Sequence, residues 1–309
     1  MSEDMTKYLD PKVLDRVKRL DLLARLVVEG FISGLHRSPF HGFSVEFASY
    51  RQYVPGDDIK HIDWKVHGRT DRYYIKQYEE ETNLRATFLV DASESMRYPT
   101  DGRGGLTKYR YGCAVAASLA FLLQRQQDAT ALAVFDDALR TYLPASGSRS
   151  GLSAFVHALD TAEQRRKTSL EPICHSLAEK LPRRGLVCLI SDLLVDDLAG
   201  AIRGLEHFRH HGHEVVVLHI LHGDELNLPF EGNTQFVGLE EAGRLTCRPR
   251  ALREGYLRAV RRFCREAERR CVSARMDYRL ISTEEHLDAA LLAFLSARAS
   301  AVRKAGSRR

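Results

Sequence analysis

Three oxygen-bearing side chains stand at alternate positions in the segment ATFLVDASESM: Asp91, Ser93 and Ser95. A carboxylate and two hydroxyls aimed into one place make a hard-oxygen donor set, which suits Mg²⁺ or Mn²⁺ and does not suit zinc. Magnesium typically takes one or two carboxylates and leaves positions for water or a partner's oxygen. A second carboxylate of the same kind occurs in CLISDLL, where Asp192 follows another apolar run. Between them, RRKTSLEP places Thr168 at a loop-to-helix junction, where a third hydroxyl can approach. Taken singly, each hydroxyl is more often a helix cap and each aspartate a loop-end residue. The joint pattern favours a cation site: DxSxS after one strand, a threonine before a helix, an aspartate after a later strand.

The elements around these residues alternate from about Leu84 onward. LRATFLV (84–90) and GLVCLISDLL (185–194) are continuous apolar runs of buried-strand length, and HEVVVLHIL (213–221) and DYRLIS (277–282) are further strands. Helical periodicity covers 108–126, 196–212, 251–271 and 284–305. SGLSAFVHALDTAEQ and SLEPICHSLAEKL are helices each expected to open on a serine cap. ALAVFDDALRTYL (131–143) predicts a strand, an Asp-Asp turn and a returning strand. Strands alternating with helices give a mostly parallel, doubly wound α/β sheet. In such sheets ligands sit beyond the carboxyl ends of the strands, the edge at which Asp91 and Asp192 both fall.

The first 83 residues follow another pattern. Leu14, Val17, Leu20, Leu23, Val27 and Val28 mark one face of a helix across 10–32. Turn signals at Ser38-Pro39 and Pro55-Gly56-Asp57, with alternation at Phe43, Val45 and Phe47 and again from Tyr73 to Tyr78, predict a small β-rich element. The expected division is therefore 1–83 (N-terminal helix and β-rich element), 84–283 (α/β domain) and 284–309 (C-terminal helix and basic tail).

Composition narrows the class. A chain of 309 residues with 44% hydrophobic and 28% charged residues is ordinary for a globular protein, and a net charge of +5 does not by itself indicate nucleic-acid binding. The most apolar window, Cys113 to Leu123, is well short of the ~20 residues of a spanning helix. The polar start MSEDMTKYLD has no apolar h-region, so no signal peptide is expected. The six cysteines lack CxxC spacing and fall mostly in apolar runs, which predicts buried reduced thiols and a cytoplasmic setting.

Other clusters have plainer readings. GDDIKHIDWKVHGR contains Asp57, Asp63, Trp64 and Arg69; Asp63 with Arg51, Arg69 and Arg72 makes paired charges that fix the β-rich element, with Trp64 as an apolar anchor. The histidines of HFRHHGH lie at a helix C-terminus, where the dipole favours them, and lack separated paired ligands for zinc. Seven arginines in the helix 251–271 are a solvated face suited to an acidic partner. An enzymatic alternative exists: Asp91 at a strand end resembles the nucleophile of haloacid-dehalogenase-type phosphatases. Those enzymes place a second aspartate as general acid where this chain has Ser93, whose hydroxyl has no suitable pKa. No G-x-x-x-x-G-K-[ST] loop is present, so nucleotide hydrolysis is not expected.

DASES with Thr168 and Asp192 resembles the metal-ion-dependent adhesion site of von Willebrand factor A domains. EFASYRQYVPGDDIKHIDW, YYIKQYEEE and FLVDASESM together resemble the bacterial family known as domain of unknown function fifty-eight. The resemblance is strong from about Glu29 to Asp192. It implies a Rossmann-like doubly wound A domain carrying an N-terminal helix and a small β-rich element. It also implies Mg²⁺ or Mn²⁺ held by Asp91, Ser93, Ser95, Thr168 and Asp192. Further implications are a MoxR-type AAA+ ATPase partner, an unidentified protein client, and a non-enzymatic role in complex assembly or chaperoning. Neither nucleic acid nor a membrane span enters this expectation.

Overall fold

The structure is a computed structural model that describes residues 19–35, 50–52, 73–76, 84–100, 105–164, 167–240, 243–288 and 290–292. It divides into two compact units: residues 1–34 with 84–309, and residues 35–83.

The smaller unit contains two short antiparallel strands, β1 (Tyr50–Gln52) and β2 (Tyr74–Lys76), with Arg51 opposite Ile75. The alternation from Tyr73 to Tyr78 thus does contain a strand. The alternation at Phe43 to Phe47 lies outside the described residues, as do Asp57, Asp63, Trp64 and Arg69, so the ion pairs expected there have no structural account.

In the larger unit, helix α1 (Leu20–Leu35) buries Leu20, Leu23, Ala24, Val27 and Val28, the i, i+3, i+4, i+7, i+8 stripe of an amphipathic helix. Its Arg25 guanidinium lies 6.0 Å from the centroid of the Phe121 ring. This helix groups with the α/β domain, whereas its pattern alone had placed it with the β-rich element.

Six strands form the central sheet: β3 (Arg85–Asp91), β4 (Ala129–Phe135), β5 (Leu139–Ser146), β6 (Leu186–Ser191), β7 (Glu214–Leu221) and, last in the chain, β10 (Asp277–Ser282). Their spatial order is β5-β4-β3-β6-β7-β10. All neighbours are parallel except β4 and β5, which pair antiparallel across the Asp136–Ala138 turn. The expected mixed α/β, mostly parallel sheet is observed. Every residue of β6 and all but the first of β3, β4 and β7 are buried, as continuous apolar strands covered on both faces must be.

The covering helices are α2 (Lys108–Arg125), α3 (Arg149–Thr161), α4 (Leu170–Lys180), α5 (Leu198–His210), the short α6 (Gly223–Asn227) and α7 (Pro249–Ser273). Helix α2 approaches the sheet closely at Gly112, where a Cβ would stand 2.9 Å from Ile190 Cγ2. On the other face Leu89, Leu177, Leu189, Leu205 and Phe208 belong to one apolar cluster. Two expected caps differ. Helix α3 is capped by Ser148, whose hydroxyl accepts from the Gly151 N–H, two residues ahead of the expected start. Ser169 precedes α4 without a side-chain cap bond. Helix α5 ends at Gly212 as expected, with φ +85°, a conformation glycine adopts without steric cost.

Two elements had no counterpart in the sequence pattern: α6, and the antiparallel hairpin of β8 (Thr234–Val237) and β9 (Arg244–Cys247). Of the six cysteines, all free, five are buried and Cys247 is half-buried. No helix among the described residues is long and apolar enough to cross a membrane.

Candidate metal centre

The sheet places Asp91 and Asp192 side by side. Chain order runs outward from β3 through β4 to β5 on one side, then returns to β6 on the other side of β3 and continues through β7 to β10. The reversal between β3 and β6 is the topological switch point, where a crevice opens beyond the strand ends. Asp91 is the last residue of β3, and Asp192 immediately follows β6. Both side chains are fully buried.

Local hydrogen bonds fix each carboxylate. The Ser93 N–H donates to Asp91 Oδ1 at 2.9 Å, and the Leu194 N–H donates to Asp192 Oδ1 at 3.1 Å. These are matching Asx turns, the local alternative to strand pairing that Asp favours. Leu193 takes a left-handed φ of +53°, and its N–H donates to Ser191 Oγ at 3.0 Å. A non-glycine residue in that region is strained, and here it bends the chain directly after Asp192.

Asp91 collects donors from three segments. Besides Ser93, the Ser191 hydroxyl donates to Oδ2 at 2.5 Å, and the Thr168 hydroxyl lies 3.1 Å from both carboxylate oxygens. Thr168 is held there by its neighbour, whose N–H (Ser169) donates to the Asp136 carbonyl at the end of β4, at 3.0 Å. The hydroxyls of Ser93 and Ser95 share a 3.0 Å hydrogen bond. Ser93 makes no side-chain cap bond to the four-residue 3₁₀ turn that follows, so capping does not account for its hydroxyl. Burial drives the Asp91 carboxyl well above the usual carboxylate range; the Asp192 charge adds to this, against the Ser191 and Ser93 hydrogen bonds. Among the described residues no lysine or arginine forms an ion pair with Asp91.

Asp192 is different. Burial would raise it too, but the Lys108 ammonium together with the Leu194 and Ser95 hydrogen bonds holds its carboxyl below the usual value. Lys108, the first residue of α2, is itself fully buried. Its Nζ donates to Asp192 Oδ2 and to Glu225 Oε1, each at 2.7 Å. The other Glu225 oxygen accepts from the His222 N–H at 2.7 Å. Tyr98 joins the same region, donating to Asp224 Oδ2 at 2.7 Å. At the rim, the Ser95 N–H donates to Glu240 Oε1 at 3.1 Å.

All five residues expected at the site, Asp91, Ser93, Ser95, Thr168 and Asp192, thus meet at one sheet edge. Ser191, Lys108, Glu225 and Glu240 were missed. Ser191 left a signal, as the polar residue that ends an apolar run. Lys108 and the two glutamates left none, because nothing in a sequence shows a charged side chain turned inward.

The donor chemistry fits a hard cation: two carboxylates and three hydroxyls, with the buried Asp91 carboxylate in no ion pair with a described lysine or arginine. Among the described residues no three His, Cys, Asp or Glu side chains converge as a metal cluster, so such an ion would depend on the hydroxyls. The histidine run fits no zinc site either. His207 packs on His175 with ring centroids 3.7 Å apart. His213 turns inward, where burial lowers its pKa to about 4.

Residues 49–266 match the family model described as "Protein of unknown function DUF58", and the chain belongs to that family. Its fold is the Rossmann-like doubly wound one that the strand order displays. Uncharacterized proteins of Mycobacterium tuberculosis and Mycobacterium bovis are 26% identical over 229 residues, covering 72% of this chain and 70% of each relative. Among solved structures, BatB from Bacteroides thetaiotaomicron aligns with a TM-score of 0.48 at 16% identity, covering 71% of this chain and 99% of BatB. The SpRpn10 VWA domain aligns with a TM-score of 0.39 at 14% identity, covering 67% of this chain and 93% of that domain.

Proposed function

We propose that the chain is a non-enzymatic, metal-dependent protein-binding module, working in the cytoplasm as an adaptor for a MoxR-type AAA+ ATPase in complex assembly or chaperoning. The observation that carries the metal reading is Asp91, a buried carboxylate at the switch point that accepts from Ser93, Thr168 and Ser191 and, among the described residues, forms no ion pair with a lysine or arginine. Asp91, Ser93 and Ser95 would hold Mg²⁺ or Mn²⁺ directly, with Thr168 and Asp192 bound directly or through water. When bound, the ion supplies an open coordination position for a carboxylate of the partner. Lys108 orients Asp192 and keeps it ionised, and the Asx turns hold both aspartates in place before any ligand arrives. The MoxR-type ATPase comes from the family resemblance, and it would supply the energy that this chain does not.

The phosphatase alternative needs a general acid beside Asp91. The position that would carry it is Ser93, whose hydroxyl is engaged with that of Ser95.

Affinity capture with the wild type and with Asp91→Ala as bait, each in Mg²⁺ and in EDTA, tests the reading. An AAA+ ATPase and client proteins should be recovered by the wild type in Mg²⁺ alone. Equal capture in EDTA would contradict it, as would phosphatase turnover that Asp91→Asn abolishes.

A further inference from the structure

The hairpin β8–β9 sends one side chain to the metal centre. Glu240, three residues beyond β8, reaches a backbone amide 145 positions away in sequence, the Ser95 N–H at 3.1 Å. Ser95 is one of the expected ligands and is itself buried. The carboxylate is half-buried beside a crevice that already contains Asp91 and Asp192. Its charged neighbours are Asp192 and the Lys108 ammonium, which act on it in opposite senses.

The arm that carries it is held loosely. No β8 or β9 residue is fully buried, and Val237 and Leu245 are 58% and 60% exposed. The base, by contrast, is fixed. Arg253 of α7 donates to the carbonyls of Leu228 and Phe230, each at 3.0 Å, and Phe230 packs edge-on against Phe236 at 5.4 Å. Positive-φ residues precede the arm at Leu228 (+45°) and Gly232 (+72°), and a third, Gly243 (+42°), lies in its loop. A fixed base, a sparsely packed arm and a charged tip on the site describe a latch.

We propose that Glu240 is an internal surrogate ligand, which the hairpin holds over Ser95 in the place that a partner's acidic side chain takes. The inference rests on the metal-dependent reading above and adds its regulation: an acidic partner binds only when the hairpin swings away. Its apparent affinity is then the intrinsic one reduced by the fraction of molecules with the latch open.

Two measurements on the full chain test this, with wild type, Glu240→Gln and Glu240→Ala. The first is hydrogen exchange at Ser95 and across 231–247 in EDTA. The second is an NMR titration with N-acetylglutamate amide in saturating Mg²⁺, after calorimetry has shown whether each variant binds Mg²⁺. Both variants should exchange faster at Ser95 and bind the blocked glutamate about tenfold more tightly than the wild type, with Mg²⁺ affinity little changed. Unchanged exchange at Ser95 would overturn the latch. Faster exchange with unchanged or weaker glutamate binding would overturn the surrogate role. Absence of Mg²⁺ binding in all three proteins would sink the metal-dependent reading itself, and the surrogate role with it, whereas Mg²⁺ binding with unaltered glutamate affinity leaves that reading intact and rejects only the surrogate role.

Discussion

An ammonium group buried as completely as that of Lys108 is costly to desolvate, and it stays charged here because Asp192 and Glu225 each accept from it at 2.7 Å. Burial alone would lower its pKa; the two carboxylates outweigh that and raise it. Replacing Lys108 by Met keeps much of the stem but leaves the buried Asp192 carboxylate without its cation. The expected cost is about 3–5 kcal/mol, because breaking one side of a buried pair strands the other charge. Urea unfolding at neutral pH measures it, and a Lys108→Met/Asp192→Asn double variant should recover a large part of the loss. A single-variant cost under about 1 kcal/mol would mean that Asp192 finds another partner or water. At this scale, legibility depended on where a side chain turns. Asp91, Ser93, Ser95, Thr168 and Asp192 announce themselves by residue type and by place relative to strand ends. Lys108 carries no such mark, since a lysine at the first turn of a helix ordinarily faces solvent.

Helix α2 positions Lys108, and it does so by lying unusually close to the sheet. Gly112 makes this possible: a Cβ there would approach Ile190 Cγ2 to 2.9 Å, with Ile220 and Met96 just behind. Gly112→Leu should cost about 1–3 kcal/mol through overpacking, despite leucine's better helix propensity. Thermal unfolding reads the effect, and a variant as stable as the wild type would show that the helix can ride outward without loss. The alternation of long apolar strands with helices was legible from Leu84 onward because buried parallel strands are continuous apolar runs. Residues 223–247 were not legible. Helix α6 has five residues, and the hairpin strands have four each and no buried face, so neither period has room to show itself. Yet these short elements bring Glu225 and Glu240 to the centre. The serine expected to open α3 fell two residues late because Ser148 and Ser150 both fit the cap preference, and only the Gly151 contact distinguishes them.

Across the molecule, function is concentrated where the sheet changes direction. The strand order sets Asp91 and Asp192 next to each other although a hundred residues separate them in the chain, and loops from β4, β7 and the hairpin converge on the same edge. That convergence could be anticipated in outline from two strands each ending in an aspartate, because doubly wound sheets place ligands there. The grouping of α1 with the α/β domain could not, because an amphipathic stripe shows that a face is buried without showing against what. The central claim is that this edge holds a hard divalent cation through Asp91. Isothermal titration of Mg²⁺ into metal-stripped wild type and Asp91→Asn addresses it most directly. The wild type should bind a single ion, and Asp91→Asn should bind it at least about tenfold more weakly while melting as a folded protein. No binding by the wild type, or equal binding by both, would contradict the account.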